Sequence, residues 1–133
     1  MYKLEHIGIA VKQVLSSNDL FAKLLDSECY KIEEVESEGV RTSFFKVGET
    51  KIELLEALHK DSPIARFIDR KGEGIHHLAF EVNDIVREMA RLEQAGFVLV
   101  NDQPKKGADN KMVCFLHPKS TNGVLIELCQ EIK

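Results

Sequence analysis

The chain has 133 residues, 44% of them hydrophobic and 30% charged, and a formal net charge of −4. This is ordinary globular composition for one domain or two small packed halves, and an acidic chain with no basic block excludes non-specific nucleic-acid binding. No apolar run approaches the roughly 20 residues of a bilayer span, the opening MYKLEHIGIA enters a strand pattern rather than a signal peptide, and three cysteines without C-x-x-C spacing (Cys29, Cys114, Cys129) read as reduced thiols of a cytoplasmic protein.

Residues 3–11 alternate and are rich in Ile and Val, as a half-buried strand requires. Ser16, Ser17, Asn18 and Asp19 are helix-cap residues, and Leu20, Phe21, Leu24 and Leu25 follow at helical spacing. Strands are expected over 30–35, 40–47 and 51–55, punctuated by Gly39 and Gly48. Ser62-Pro63 then caps a short helix over 64–70, and residues 71–74 form a turn. Residues 75–82 read as a strand, Asn83-Asp84 cap a helix to about residue 94, and 97–100 read as a strand. A polar loop covers 103–110, and strands cover 112–116 and 124–128 around a turn at 120–123. Each half reads β-α-β-β-β, so the predicted class is α+β: two tandem βαβββ modules forming a curved mixed sheet with a cleft. One domain is expected over 1–133, with the first module at about 1–58, a linker helix and turn at 59–74, and the second module at 75–133.

The halves also repeat their chemistry. His6 opens HIGIAV and His77 opens HLAFEV, 71 residues later. Glu53 lies in KIELLE and Glu127 in GVLIEL, 74 residues apart. A lone histidine at a strand start is usually a hydrogen-bonded structural residue, and a lone strand glutamate usually faces solvent. Two of each, at equivalent places in a repeat, favour a shared divalent metal, because a buried unpaired carboxylate costs several kcal/mol that a cation removes. Imidazoles and carboxylates without thiolate suit Co, Mn, Ni, Fe or Zn rather than a structural zinc, and leave positions open for a chelating substrate. Strand alternation sends His76 away from His77, and the repeat chooses His77. His59 reads as a solvent histidine. His117 sits in the cluster LHPKS, at a place that suits a cleft mouth.

HIGIAV, GETKIELLE, SPIARFI, KGEGIHHLAFEV and FLHPKSTNGVLIEL together resemble the methylmalonyl-CoA epimerase family of the vicinal-oxygen-chelate superfamily, over nearly the whole chain. The resemblance implies paired βαβββ modules in a homodimer. It implies a divalent metal, often cobalt, held by His6, Glu53, His77 and Glu127, with glutamine at the Glu53 position in some members. It implies interconversion of (R)- and (S)-methylmalonyl-CoA through a metal-stabilised enolate, in propionate metabolism, with Glu127 as a catalytic acid/base. Lys119 and His117 are the expected contacts to the acyl-CoA; Lys105 and Lys106 read as surface lysines. Some members carry a second catalytic glutamate where this chain has Thr42. If the strand is regular, Glu36 and Glu38 share the face of Thr42, yet Glu38 is on the order of 13 Å away along an extended strand. Glu33, Glu34, Glu36 and Glu38 therefore read as a solvated strand end, and the second acid/base stays open.

Three rival readings share the fold. A glyoxalase I-like lactoylglutathione lyase would use the same metal ligands on a hemithioacetal. A metal-free binding protein would carry apolar residues at the four positions. A ring-cleaving dioxygenase would need two histidines and one carboxylate.

Overall fold

Residues 2–133 are described in a computed structural model; residue 1 of the expected first module lies outside the described residues. The chain divides into two compact units, one of His6–His76 and one of His77–Lys133 with the start of the first strand. Between them the described residues hold eight strands and three α-helices, and the order β-α-β-β-β occurs twice.

The first unit contains most of β1 (Lys3–Ala10), then α1 (Val14–Leu25), β2 (Lys31–Val35), β3 (Val40–Val47), β4 (Thr50–Ala57) and α2 (Pro63–Lys71). Its strands lie in the order β2-β3-β4-β1. The β2-β3-β4 pairings are antiparallel, and β1 runs parallel to β4. Val11, Val14, Phe45 and Leu54 form a core that Phe21 and Leu25 of α1 complete. Ala10, Val40, Leu55 and Ile64 form a second core under α2. The Ser62 hydroxyl caps α2 as expected, accepting the Ala65 N–H at 3.2 Å.

Helix α1 starts earlier than the sequence predicts. Ser16, Ser17, Asn18 and Asp19 are all inside it, and the residue before it, Gln13, makes no side-chain cap. A distant acid supplies the cap: the Val14 N–H donates to Glu56 Oε1 of β4 at 2.7 Å. The earlier start rotates the inward-facing stripe to buried Val14 and half-buried Asn18, Phe21 and Leu25, spaced as a helix face requires. Asn18 keeps its place there by accepting the Ser43 hydroxyl at 2.5 Å. Leu20 and Leu24, expected on the apolar face, are 64% and 70% exposed.

The second unit contains most of β5 (Gly74–Glu81), then α3 (Ile85–Gln94), β6 (Lys105–Lys106), β7 (Lys111–Leu116) and β8 (Ile126–Glu131). Its order is β5-β8-β7-β6, with β5 parallel to β8 and the other pairs antiparallel. The apolar face of α3 (Ile85, Met89, Leu92) packs on Val82, Cys114, Leu116 and Leu128. Asp84 caps it, its Oδ1 accepting the Arg87 N–H at 3.1 Å.

The expected strand over 97–100 is only a single bridge, Leu99 to Leu116. It starts as a ladder, with His117 N–H on Val98 O and Val100 N–H on Phe115 O. The Asn101 side chain then takes the next donor, the Phe115 N–H at 3.0 Å, and Pro104 has no N–H to continue with. Pairing resumes at β6, inside the stretch expected to be a polar loop. Strand β8 also begins later than expected, at Ile126.

The repeat extends to individual hydrogen bonds. The Ile85 N–H at the start of α3 donates to Gln130 Oε1 at 2.8 Å, as Val14 does to Glu56 in α1. Val11 N–H bonds Leu55 O, and Val82 N–H bonds Cys129 O, each at 2.9 Å. The strings IELLE and IELCQ therefore do the same work in both halves.

Candidate functional site

In the first unit Glu53 stands opposite Gly8 in the parallel β1–β4 pair, two residues beyond His6. Residues 6 and 8 share a face, so imidazole and carboxylate meet: His6 Nδ1 lies 3.1 Å from Glu53 Oε2. Phe44, fully buried, is directly across from Glu53 on β3. In the second unit Glu127 stands opposite Ala79, again two residues beyond the histidine. His77 Nε2 lies 3.2 Å from Glu127 Oε1. Phe115, directly across from Glu127 on β7, meets the His77 ring edge-on with centroids 5.8 Å apart.

His6, Glu53, His77 and Glu127 are each only 4–6% exposed. The small residues Gly8 and Ala79 face the two glutamates, which leaves room for each imidazole–carboxylate pair. The pattern H-x-small, in HIG and HLA, is a signal the sequence reading did not use. Burial raises the nearby thiols: Cys114 is pushed up to about 11 by desolvation and the Glu127 charge, and Cys129 is raised further by burial, Glu127 and Glu5. Both stay protonated and are poor metal ligands at neutral pH. Each unit thus offers a metal one imidazole and one carboxylate and no thiolate, a donor set that fits a divalent first-row ion.

The other sequence candidates are placed as follows. His76 points away from His77 and packs edge-on against Phe67 of α2 at 5.0 Å. His59 is exposed, against Gly39. His117 is exposed, and its Nδ1 accepts the Lys119 N–H at 3.1 Å, which caps the 3-10 turn at Pro118–Ser120. Lys119 is exposed, as are Lys105 and Lys106 on β6. Thr42 is 1% exposed and stands opposite Leu55, on the face of Glu53. The regular strand imagined for Glu36 and Glu38 does not exist: Glu36–Glu38 form a 3-10 turn closed by Gly39 in the left-handed region at φ 65°. The alternation linking those acids to Thr42 is broken there. One buried pair escaped the sequence reading: Lys111 Nζ lies 3.9 Å from Glu5 Oε2, and both side chains are 5% exposed.

Residues 5–115 match the model of the glyoxalase/bleomycin resistance protein/dioxygenase superfamily. An ethylmalonyl-CoA/methylmalonyl-CoA epimerase of Cereibacter sphaeroides is 41% identical over 130 residues, covering 96% of this chain and 97% of that one. The crystal structure of a hypothetical protein from Bacillus halodurans superposes with a TM-score of 0.96 at 42% identity, over 99% of this chain and 96% of that one. A Streptomyces coelicolor methylmalonyl-CoA epimerase variant in complex with 2-nitronate-propionyl-CoA gives 0.93 at 30% identity, over 97% and 94%. Among the described residues no helix is long and apolar enough to cross a membrane.

Proposed function

The chain belongs to the methylmalonyl-CoA epimerase family of the glyoxalase/bleomycin resistance protein/dioxygenase superfamily, and from that premise we propose that it interconverts (R)- and (S)-methylmalonyl-CoA by removing and returning the α-proton. The observation that carries the reading is the duplicated, buried His/Glu pair in identical register: His6 with Glu53, His77 with Glu127. These four side chains would hold one divalent ion, with cobalt the first candidate and Mn, Ni, Zn or Fe the others. When bound, such an ion is a Lewis acid that stabilises negative charge developing on the thioester oxygen.

The remaining work falls to the chain's own groups. Epimerisation needs one group to take the proton from one face of the α-carbon and another to return one to the opposite face. Glu127 is the first acid/base. The bonding pair passes into the thioester as the proton leaves, and returns to the α-carbon when the second group donates. Glu53 is the second, on two grounds. It is the repeat equivalent of Glu127. It also neighbours Thr42 diagonally across β3–β4, since Phe44 faces Glu53 and Thr42 faces Leu55. Diagonal neighbours are about 7–8 Å apart, within reach of a glutamate side chain. A carboxylate on β4 can therefore serve where Thr42 on β3 has none. Burial excludes water, which sharpens both proton transfers. Lys119 and His117 contact the phosphates or carboxylate of the acyl-CoA, and the enzyme works as a cytoplasmic homodimer; family resemblance and exposure support these assignments.

The test is proton NMR of methylmalonyl-CoA in deuterium oxide with cobalt-loaded protein and with His77→Ala. α-Proton exchange accompanied by epimerisation, and lost in the variant, is expected. No exchange with the loaded wild-type protein refutes the reading and favours a glyoxalase-type lyase.

A further inference from the structure

The two His/Glu pairs sit in matching rows across their sheets, and the rows differ at one end. In the first unit the register runs Lys31–Phe44–Glu53–Gly8 across β2, β3, β4 and β1. Residues directly opposite one another share a face, so Lys31 stands on the face of Glu53 and His6. In the second unit Phe115, Glu127 and Ala79 repeat the inner three places. The bridge of Leu99 to Leu116 and the Val100 N–H on Phe115 O put Val100 at the outer place. That outer place holds an ammonium in one unit and an isopropyl group in the other.

The Lys31 side chain does not run straight out to water. Its Nζ lies 4.4 Å from the centroid of the Phe44 ring, so it leans towards Glu53 over a fully buried aromatic face. Its pairing with Glu33 is loose, at 3.8 Å, and the two side chains are 37% and 35% exposed. A solvated pair of this kind is worth little, and an ammonium has three donors, so a second carboxylate can join Glu33 or take its place.

We propose that Lys31 is a specificity-determining residue that binds the free carboxylate on the α-carbon of the substrate, and so selects malonyl-type thioesters over acyl-CoAs with a neutral group there. This rests on the epimerase reading above, with Glu53 as an acid/base. A base about 3 Å from the α-carbon, two bonds out to a carboxylate oxygen, and an ammonium about 2.8 Å beyond it together span about 8 Å. Lys31 and Glu53 are two strands apart, about 10 Å between Cα atoms, and the inward lean of the ammonium shortens that gap. The phosphates of an acyl-CoA lie at the far end of the pantetheine arm, well outside this span. Val100 offers no charge at the repeated place, so the first unit is the one that reads the carboxylate.

The measurement is calorimetric binding of malonyl-CoA and propionyl-CoA, which differ by a carboxylate in place of a methyl group, to the cobalt-loaded protein. Wild type, Lys31→Met and Lys31→Gln are compared, with thermal melts alongside; methionine keeps a side chain against the Phe44 ring. In both variants malonyl-CoA should bind about tenfold more weakly, the scale of a charge-assisted hydrogen bond at a part-exposed site. Propionyl-CoA should bind within about twofold of wild type. Equal weakening of both esters, as loss of a phosphate contact or damage to the fold would give, or no weakening of either, overturns the assignment. If the wild type still exchanges the α-proton of methylmalonyl-CoA, those results overturn this assignment alone. No binding of either ester by the wild type overturns the acyl-CoA reading, and this assignment with it.

Discussion

If Glu53 and Glu127 are the two acid/base groups, the variants Glu53→Gln and Glu127→Gln must fail on opposite substrates. Each change keeps the size of the side chain and leaves an oxygen where the carboxylate now meets its imidazole, at 3.1 Å from His6 or 3.2 Å from His77. The structural cost is the difference between a charge-assisted and a neutral hydrogen bond, about 1 kcal/mol, against a stability of about 5–15 kcal/mol for an ordinary domain. Both variants should fold. The catalytic cost is the loss of a positioned acid/base, about 10²–10⁴ in rate or roughly 3–5 kcal/mol in barrier. Epimerisation falls by that factor in both. Proton exchange behaves differently, because the surviving carboxylate still reaches one face. Each variant exchanges the α-proton of one epimer with deuterium and returns it without inversion, and the two variants choose different epimers. The assay is deuterium wash-in from stereochemically pure substrate, followed by NMR. Loss of exchange for the same epimer in both variants, or epimerisation by Glu53→Gln within about threefold of wild type, would refute the two-glutamate assignment.

Two further outcomes follow from the packing. Glu56→Ala and Gln130→Ala each remove the side-chain acceptor at the first turn of a helix, α1 and α3, and should each cost about 1 kcal/mol in urea unfolding; a cost confined to one would show that the repeat is not energetically equivalent. Only half-buried Cys29 should react promptly with a thiol reagent at pH 8, because Cys114 and Cys129 are fully buried and their thiols are held protonated. Rapid modification of Cys114 in the native protein would show that the α3 core opens readily.

What the sequence made legible was local or repeated. Asp84 and Ser62 sit just before their helices and cap them, and the apolar face of α3 is written in Ile85, Met89 and Leu92. The His/Glu pairs were readable because duplication prints the same chemistry twice. What it hid depends on residues far apart. The start of α1 is set by Glu56, 42 residues downstream, so the local cap candidates misled. The strand expected at 97–100 has the right composition, and only its neighbour's register shows Asn101 replacing a backbone partner. Glu5 and Lys111 look like surface charges until the fold joins them across more than a hundred residues.

The interrupted pairing along β7 has a bearing on how the protein behaves when crowded. β6 is two lysines long, follows a proline and is the outermost strand of its unit. In the other unit the outermost strand, β2, is short and carries Lys31, Glu33 and Glu34. A foreign segment recruited to either margin would find few consecutive free backbone groups and would have to desolvate charges to reach them. Margins of this kind resist templated strand addition and amyloid-like stacking. The break that costs the second unit a regular strand thereby guards that margin against edge-to-edge strand pairing.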